Sequence, residues 1–112
     1  MRNISFALTT EQFRNRTKRV TRRLGWKFLK GGEHLMGCEK CQGLKKGQTV
    51  NRLGEIVVED ARREPLNAID QDDVIAEGFP DMTPDEFVEM FCRHNRCAPD
   101  EEITRIAYDY VD

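Results

Sequence analysis

No stretch of this chain is apolar for long enough to span a bilayer. The opening Met1–Ala7 carries one charge and no extended apolar run, unlike a secretory leader. A cytoplasmic protein is therefore expected. Internal repeats, low-complexity tracts and linkers are also missing, so residues 1–112 read as a single domain. A domain of that size can bury a real core and does not need disulfides or metal merely to fold. Its four cysteines fall into two close pairs, and a cytoplasmic setting argues against structural disulfides.

What the chain does have is charge, at 34% of its residues, and that charge is unevenly spread. Residues 1–52 hold 13 Lys/Arg against 3 Asp/Glu, and residues 53–112 hold 5 against 17. Such asymmetry points to a polyanionic partner for the first half, or to two halves that neutralise each other once folded. Six of the ten residues from Arg14 to Arg23 are basic, too many for local pairing alone.

Ile4, Phe6 and Leu8 alternate with smaller or polar residues, which predicts a strand over Ile4–Leu8. Thr9 with Gln12 resembles a capping box, with Leu8 stapled to Phe13, and predicts a helix over Thr10–Arg16. The basic stretch Thr17–Arg23 mixes β-branched residues with long cations, so it reads as strand or extended loop. A short strand is expected at His34–Met36, then a loop punctuated by Gly37, Gly43 and Gly47. Glu55–Ala61 reads as a buried strand, ended by Pro65. Asp70 caps a brief helix that stops at Gly78. Thr83-Pro84-Asp85-Glu86 is the best helix start, with a cap, a proline at the first position and a capping-box glutamate. Met82 and Phe87 stand at its staple positions, and Phe87, Val88, Met90 and Phe91 form an apolar face. Ile106, Tyr108 and Tyr110 alternate in a closing strand over Ile103–Val111. Short, non-alternating strands followed by helices make an α+β fold: a small curved sheet or barrel with helices on one side.

Lys18, Thr21 and Arg23 carry the most chemistry. A hydroxyl near a lysine becomes a nucleophile if the lysine is desolvated enough to act as a base. Arginine offers a planar fork that suits phosphate or carboxylate. Trp26, three residues on, is placed to stack a base, and Arg19, Arg22 and Arg63 extend the set of cations available to nucleic acid. The plain alternative is a solvated basic surface.

The stretch Arg16-Thr17-Lys18-Arg19-Val20-Thr21-Arg22-Arg23 resembles the signature of the ASCH family, Gly-x-Lys-x-x-Glu-x-Arg. Lys18 and Arg23 match. Arg16 replaces the glycine and Thr21 the glutamate, and the branch of that family that removes acetyl groups from N4-acetylcytidine also has threonine there. In that branch lysine and threonine are proposed to act with a later glutamate, and Glu77 in Ala76-Glu77-Gly78-Phe79-Pro80 looks like its counterpart. The likeness runs from Ile4 to Val111. The phrases Arg62-Arg63-Glu64-Pro65-Leu66 and Thr83-Pro84-Asp85-Glu86-Phe87 read like ASCH proteins of phages and prophages. The resemblance implies a small PUA-like β-barrel with flanking helices and a cleft for RNA or a nucleoside. It also implies roles: Lys18 as base, Thr21 as nucleophile, Glu77 as proton shuttle or orienting group. A surface carboxylate at a helix end is the other reading of Glu77.

Cys38-Glu39-Lys40-Cys41 has the half-site spacing for zinc, and Cys92 with Cys97 can supply the other half. Four cysteines would close a structural site, with His94 able to replace one of them. Basic neighbours Lys40, Arg93 and Arg96 favour thiolates. Buried or free thiols and a redox pair are the alternatives, the last disfavoured by the lack of a thioredoxin-like βαβ pattern.

Three functions remain open. They are a binding module for RNA or a modified nucleoside, an amidohydrolase acting on an acylated cytidine, and a ribonuclease. The ribonuclease is the weakest, because a metal-free nuclease usually wants histidines, and neither His34 nor His94 falls in the motif. A protein-binding accessory role is the blandest alternative.

Overall fold

The computed structural model describes residues 1–41 and 44–112. Five strands form one sheet: β1 (Arg2–Ser5), β2 (Val20–Arg23), β3 (His34–Cys38), β4 (Arg52–Pro65) and β5 (Glu102–Tyr110), in the order β1-β3-β4-β5-β2. β1 and β3 are parallel and every other pair is antiparallel. Among the described residues three α-helices accompany it: α1 (Thr10–Arg14), α2 (Gln71–Ala76) and α3 (Pro84–Asn95). The sheet is curled into a half-barrel, the α+β arrangement with flanking helices that the element order implied. Among the described residues no helix is long and apolar enough to cross a membrane.

β4, 14 residues long, is the spine, since it pairs with β3 at one end and with β5 along most of its length. Its register against β5 shifts between Val58 and Asp60, and a shift of this kind increases local twist and helps a long strand curl. The strand begins at Arg52, earlier than the apolar run Ile56-Val57-Val58 suggested, because Arg52 and Gly54 find partners on β3. Gly37 of β3 is required by packing. A Cβ there would stand 2.5 Å from the Phe13 ring, and that ring is a centrepiece of the first core.

This first core holds Ile4, Phe6, Phe13, Leu29, Leu35, Ile56, Val58, Ile106 and Tyr108. Phe6 and Phe13 lie with ring centroids 4.5 Å apart. A second core lies under α3: Leu66, Ile69, Val74, Phe87, Phe91 and Ile103, with Met82 packed against it. The expected capping box is present there, with Thr83 accepting from Glu86 N and Glu86 Oε1 accepting from Thr83 N at 2.9 Å. Asp70 likewise accepts from Asp73 N and starts α2.

The N-terminal segment departs from expectation. β1 stops at Ser5, and Ala7–Thr9 tighten into a 3-10 turn. Thr9 makes no cap hydrogen bond. Instead Thr9 N donates to Phe6 O at 3.0 Å and the Gln12 side chain is turned to Gly78 O at 3.3 Å, so the groups a capping box needs are engaged elsewhere. Leu8 is left 57% exposed and does not staple. The helix ends at Arg14, with Arg16 in the left-handed region at φ 61. Gly43, expected to punctuate the loop after β3, lies outside the described residues.

Candidate functional site

β2 is an edge strand of the sheet, paired with β5 so that Thr21 stands opposite Ile106 and Arg23 opposite Thr104. Lys18 comes just before it. Its backbone carbonyl accepts from the hydroxyls of Tyr108, at 3.2 Å, and Tyr110. Those tyrosines therefore fix where the lysine stem begins.

Glu77 arrives from far along the chain. It closes α2, and Gly78 follows with φ +100, a conformation that suits glycine. A Cβ on Gly78 would stand 2.7 Å from Gln12 Cγ, so the helix end can press onto α1 only because that atom is missing. Gln12 Nε2 donates to Gly78 O at 3.3 Å, and Arg19 N donates to Ala76 O at 2.7 Å. This clamp delivers Glu77 to Lys18.

There the contacts are close. Lys18 Nζ donates to Glu77 Oε1 at 2.6 Å and to Glu77 O at 2.8 Å. Arg22 Nη1 donates to Glu77 Oε2 at 3.2 Å. Lys18, Arg22 and Glu77 are only 2%, 3% and 3% exposed. Charges taken that far from water persist only when paired. Arg22 also meets Glu64 and Asp73, and Arg105 grips Asp73 through two nitrogens. The hydrogen bond from Arg105, reinforced by Arg22, holds the Asp73 carboxyl down at about 2. Burial lowers Lys18 from the ordinary lysine value, Glu77 pulling the other way, and the charges of Arg23 and Arg22 add to the lowering.

Lys18, Thr21 and Glu77 all line one cleft of about 210 Å³. Arg22 and Arg23 share that polar side, while Phe6, Phe79, Phe87 and Phe91 form apolar walls. His94 and Asn95, at the end of α3, complete the lining. Arg23 Nε donates to Thr21 Oγ1 at 2.9 Å, and its guanidinium lies 5.0 Å from the Phe6 ring centre. A flat ring fits between aromatic walls of this kind, with a hydroxyl, an amine and a carboxylate at its edge.

Other expected site residues stand elsewhere. Arg19 is exposed and 3.6 Å from Asp109. Trp26 is half-buried against the first core, with the Arg2 guanidinium 4.8 Å from its ring centre, so one of its faces is already taken. Arg63 ties β4 to β5 and the preceding turn, donating to Thr104 Oγ1 at 2.8 Å, Gly25 O at 3.2 Å and Glu102 O at 3.1 Å. None of the three lines the cleft.

The four-cysteine zinc site is not assembled. Among the described residues no group of three or more His, Cys, Asp or Glu side chains is placed to hold a metal ion. Cys38 ends β3, whereas Cys92 and Cys97 pack at the end of α3 against the second core, their sulfurs 4.0 Å apart. Nor do the basic neighbours make thiolates: burial, then the partner thiol, pushes Cys38 and Cys97 each up to about 11.

The apolar walls and Asp73 had no role in the sequence reading. Phe87 and Phe91 looked like ordinary core positions, and both serve as core and as cleft wall. The adjacent Asp72-Asp73 on a short helix, set against a strand of arginines, was the available signal for Asp73.

No protein-family model and no curated protein matches this chain. Among solved structures, the crystal structure of protein EF3133 from Enterococcus faecalis V583, of family DUF984, is similar, with a TM-score of 0.65 and 17% identity. The likeness covers 94% of this chain and 68% of that one. It shows a shared fold.

Proposed function

We propose that this is an ASCH-type domain of the phage or prophage kind that holds RNA or a modified nucleoside in the cleft, and that it hydrolyses an acylated cytidine there. It would act in the cytoplasm. The observation that carries the reading is the buried Lys18–Glu77 pair in the same cleft as the Thr21 hydroxyl. Thr21 Oγ attacks the acetyl carbonyl while Lys18, deprotonated, takes the hydroxyl proton. The tetrahedral intermediate expels cytidine, whose departing N4 amine receives that proton from Lys18, with Glu77 orienting the transfer. Water then hydrolyses the threonine ester and releases acetate. Burial favours the neutral amine that the first step needs.

A non-catalytic binding module has one observation on its side. Lys18 Nζ donates to two oxygens of Glu77, and Thr21 accepts from Arg23, so the resting contacts of Lys18 run to the carboxylate and not to the hydroxyl. Incubation with N4-acetylcytidine separates the two readings. The hydrolase releases cytidine, and Lys18→Ala stops the release. Nucleoside binding without release leaves the module.

A further inference from the structure

We propose that the cleft binds an anionic group, a phosphate or a carboxylate, at the forked end of Arg23. The inference rests on reading the cleft as a nucleoside site and narrows the ligand to one that carries negative charge.

It follows from how the cations are matched. Lys18 meets Glu77. Arg22 meets Glu77, Glu64 and Asp73. Arg105 meets Asp73, and Arg62 meets Glu64. Arg23 differs from all of these. Among the described residues it has no carboxylate within ion-pair distance, and its one side-chain hydrogen bond uses Nε, toward Thr21. Among the described residues its two terminal amino groups have no hydrogen-bond partner, and the side chain stands in a wall of the cleft. Stacking on Phe6 supports the guanidinium plane and leaves its edge available. Two parallel N–H groups on that edge fit the paired oxygens of a phosphate or carboxylate. The guanidinium is partly exposed and has no carboxylate partner among the described residues, so a ligand anion can supply the counter-charge.

The aromatic walls and Arg23 together describe a planar ring that bears an oxyanion. That anion sits either on the sugar, as a 5′-phosphate, or on the acyl group, as a terminal carboxylate. Calorimetric titration with cytidine, cytidine 5′-monophosphate, N4-succinylcytidine and inorganic phosphate distinguishes them. We expect one charged nucleoside to bind about tenfold or more tighter than cytidine, and the arm that wins locates the anion. The advantage should shrink as salt is raised, vanish in Arg23→Gln, and persist only in part in Arg23→Lys, which keeps the charge without the fork. Equal affinity for charged and neutral nucleosides overturns the inference while leaving the nucleoside reading in place. Phosphate binding that depends on Arg23, with no cytidine compound bound, does the reverse. No binding of any probe overturns both. The salt dependence and the phosphate arm use the wild-type protein, so the test survives a variant that fails to fold.

Discussion

Two sets of cations from one short stretch meet opposite fates. Arg14, Arg16 and Arg19 lie on the surface, where they pair with Glu11, Asp112 and Asp109. Lys18, Arg22 and Arg23 turn inward and line the cleft. The outer pairs keep their water, so each contributes little. Lys18 and Arg22 have given it up and depend on specific carboxylates, whereas Arg23 stays partly exposed and meets no carboxylate among the described residues. Net charge along the sequence cannot tell the sets apart, since both belong to one basic run. Part of the charge asymmetry between the two halves of the chain is met across the fold, where Arg16, Lys18, Arg19 and Arg22 pair with Asp112, Glu77, Asp109, Glu64 and Asp73.

Removing an inner partner should therefore have the largest effect. Glu77→Ala strands Lys18 and takes one of three carboxylates from Arg22, and a loss of about 3–5 kcal/mol is expected in denaturant unfolding, as for one broken buried pair. A loss under about 1 kcal/mol would put the pair in the surface class.

Acid should weaken the inner set next. Asp73 is held at about 2 against an ordinary 3.8, so its folded form binds protons less readily than the unfolded chain. Its contribution is complete above 3.8 and drains away as pH falls toward about 2. The stability gap between wild type and Asp73→Asn, followed by unfolding midpoints, should close over that window; a gap that stays constant contradicts the assignment.

The helix cap gives a middle value, because it is a hydrogen bond at the surface. Thr83→Ala should cost about 1 kcal/mol. Smallest is the outer pair. Arg19→Ala should change stability by less than about 1 kcal/mol, and less still at high salt.

The same division explains what could be read in advance. Local signals held: the Thr83–Glu86 box, the Asp70 cap, the Gly78 stop and the alternation in β5 are all present. Where the groups of a local signal found other partners, it failed, as when Thr9 N bonded Phe6 O and the Gln12 side chain bonded Gly78 O. The start of β4 at Arg52 was hidden because its pairing partner is on another strand. Lys18, Thr21 and Glu77 were brought together in advance by the likeness to the ASCH signature, not by a local pattern, and they line one cleft. The burial of Arg22, the part played by Asp73 and the apolar walls depend on contacts between residues tens of positions apart. Spacing within each cysteine pair likewise says nothing about where the other pair lies in the fold.

The central claim is that the cleft makes Lys18 a usable base. Following the Lys18 side-chain carbon by NMR as pH is raised tests this most directly. The account predicts a midpoint below the ordinary lysine value of 10.5. A midpoint at or above that value would mean that Glu77 holds the ammonium firmly, and would contradict it.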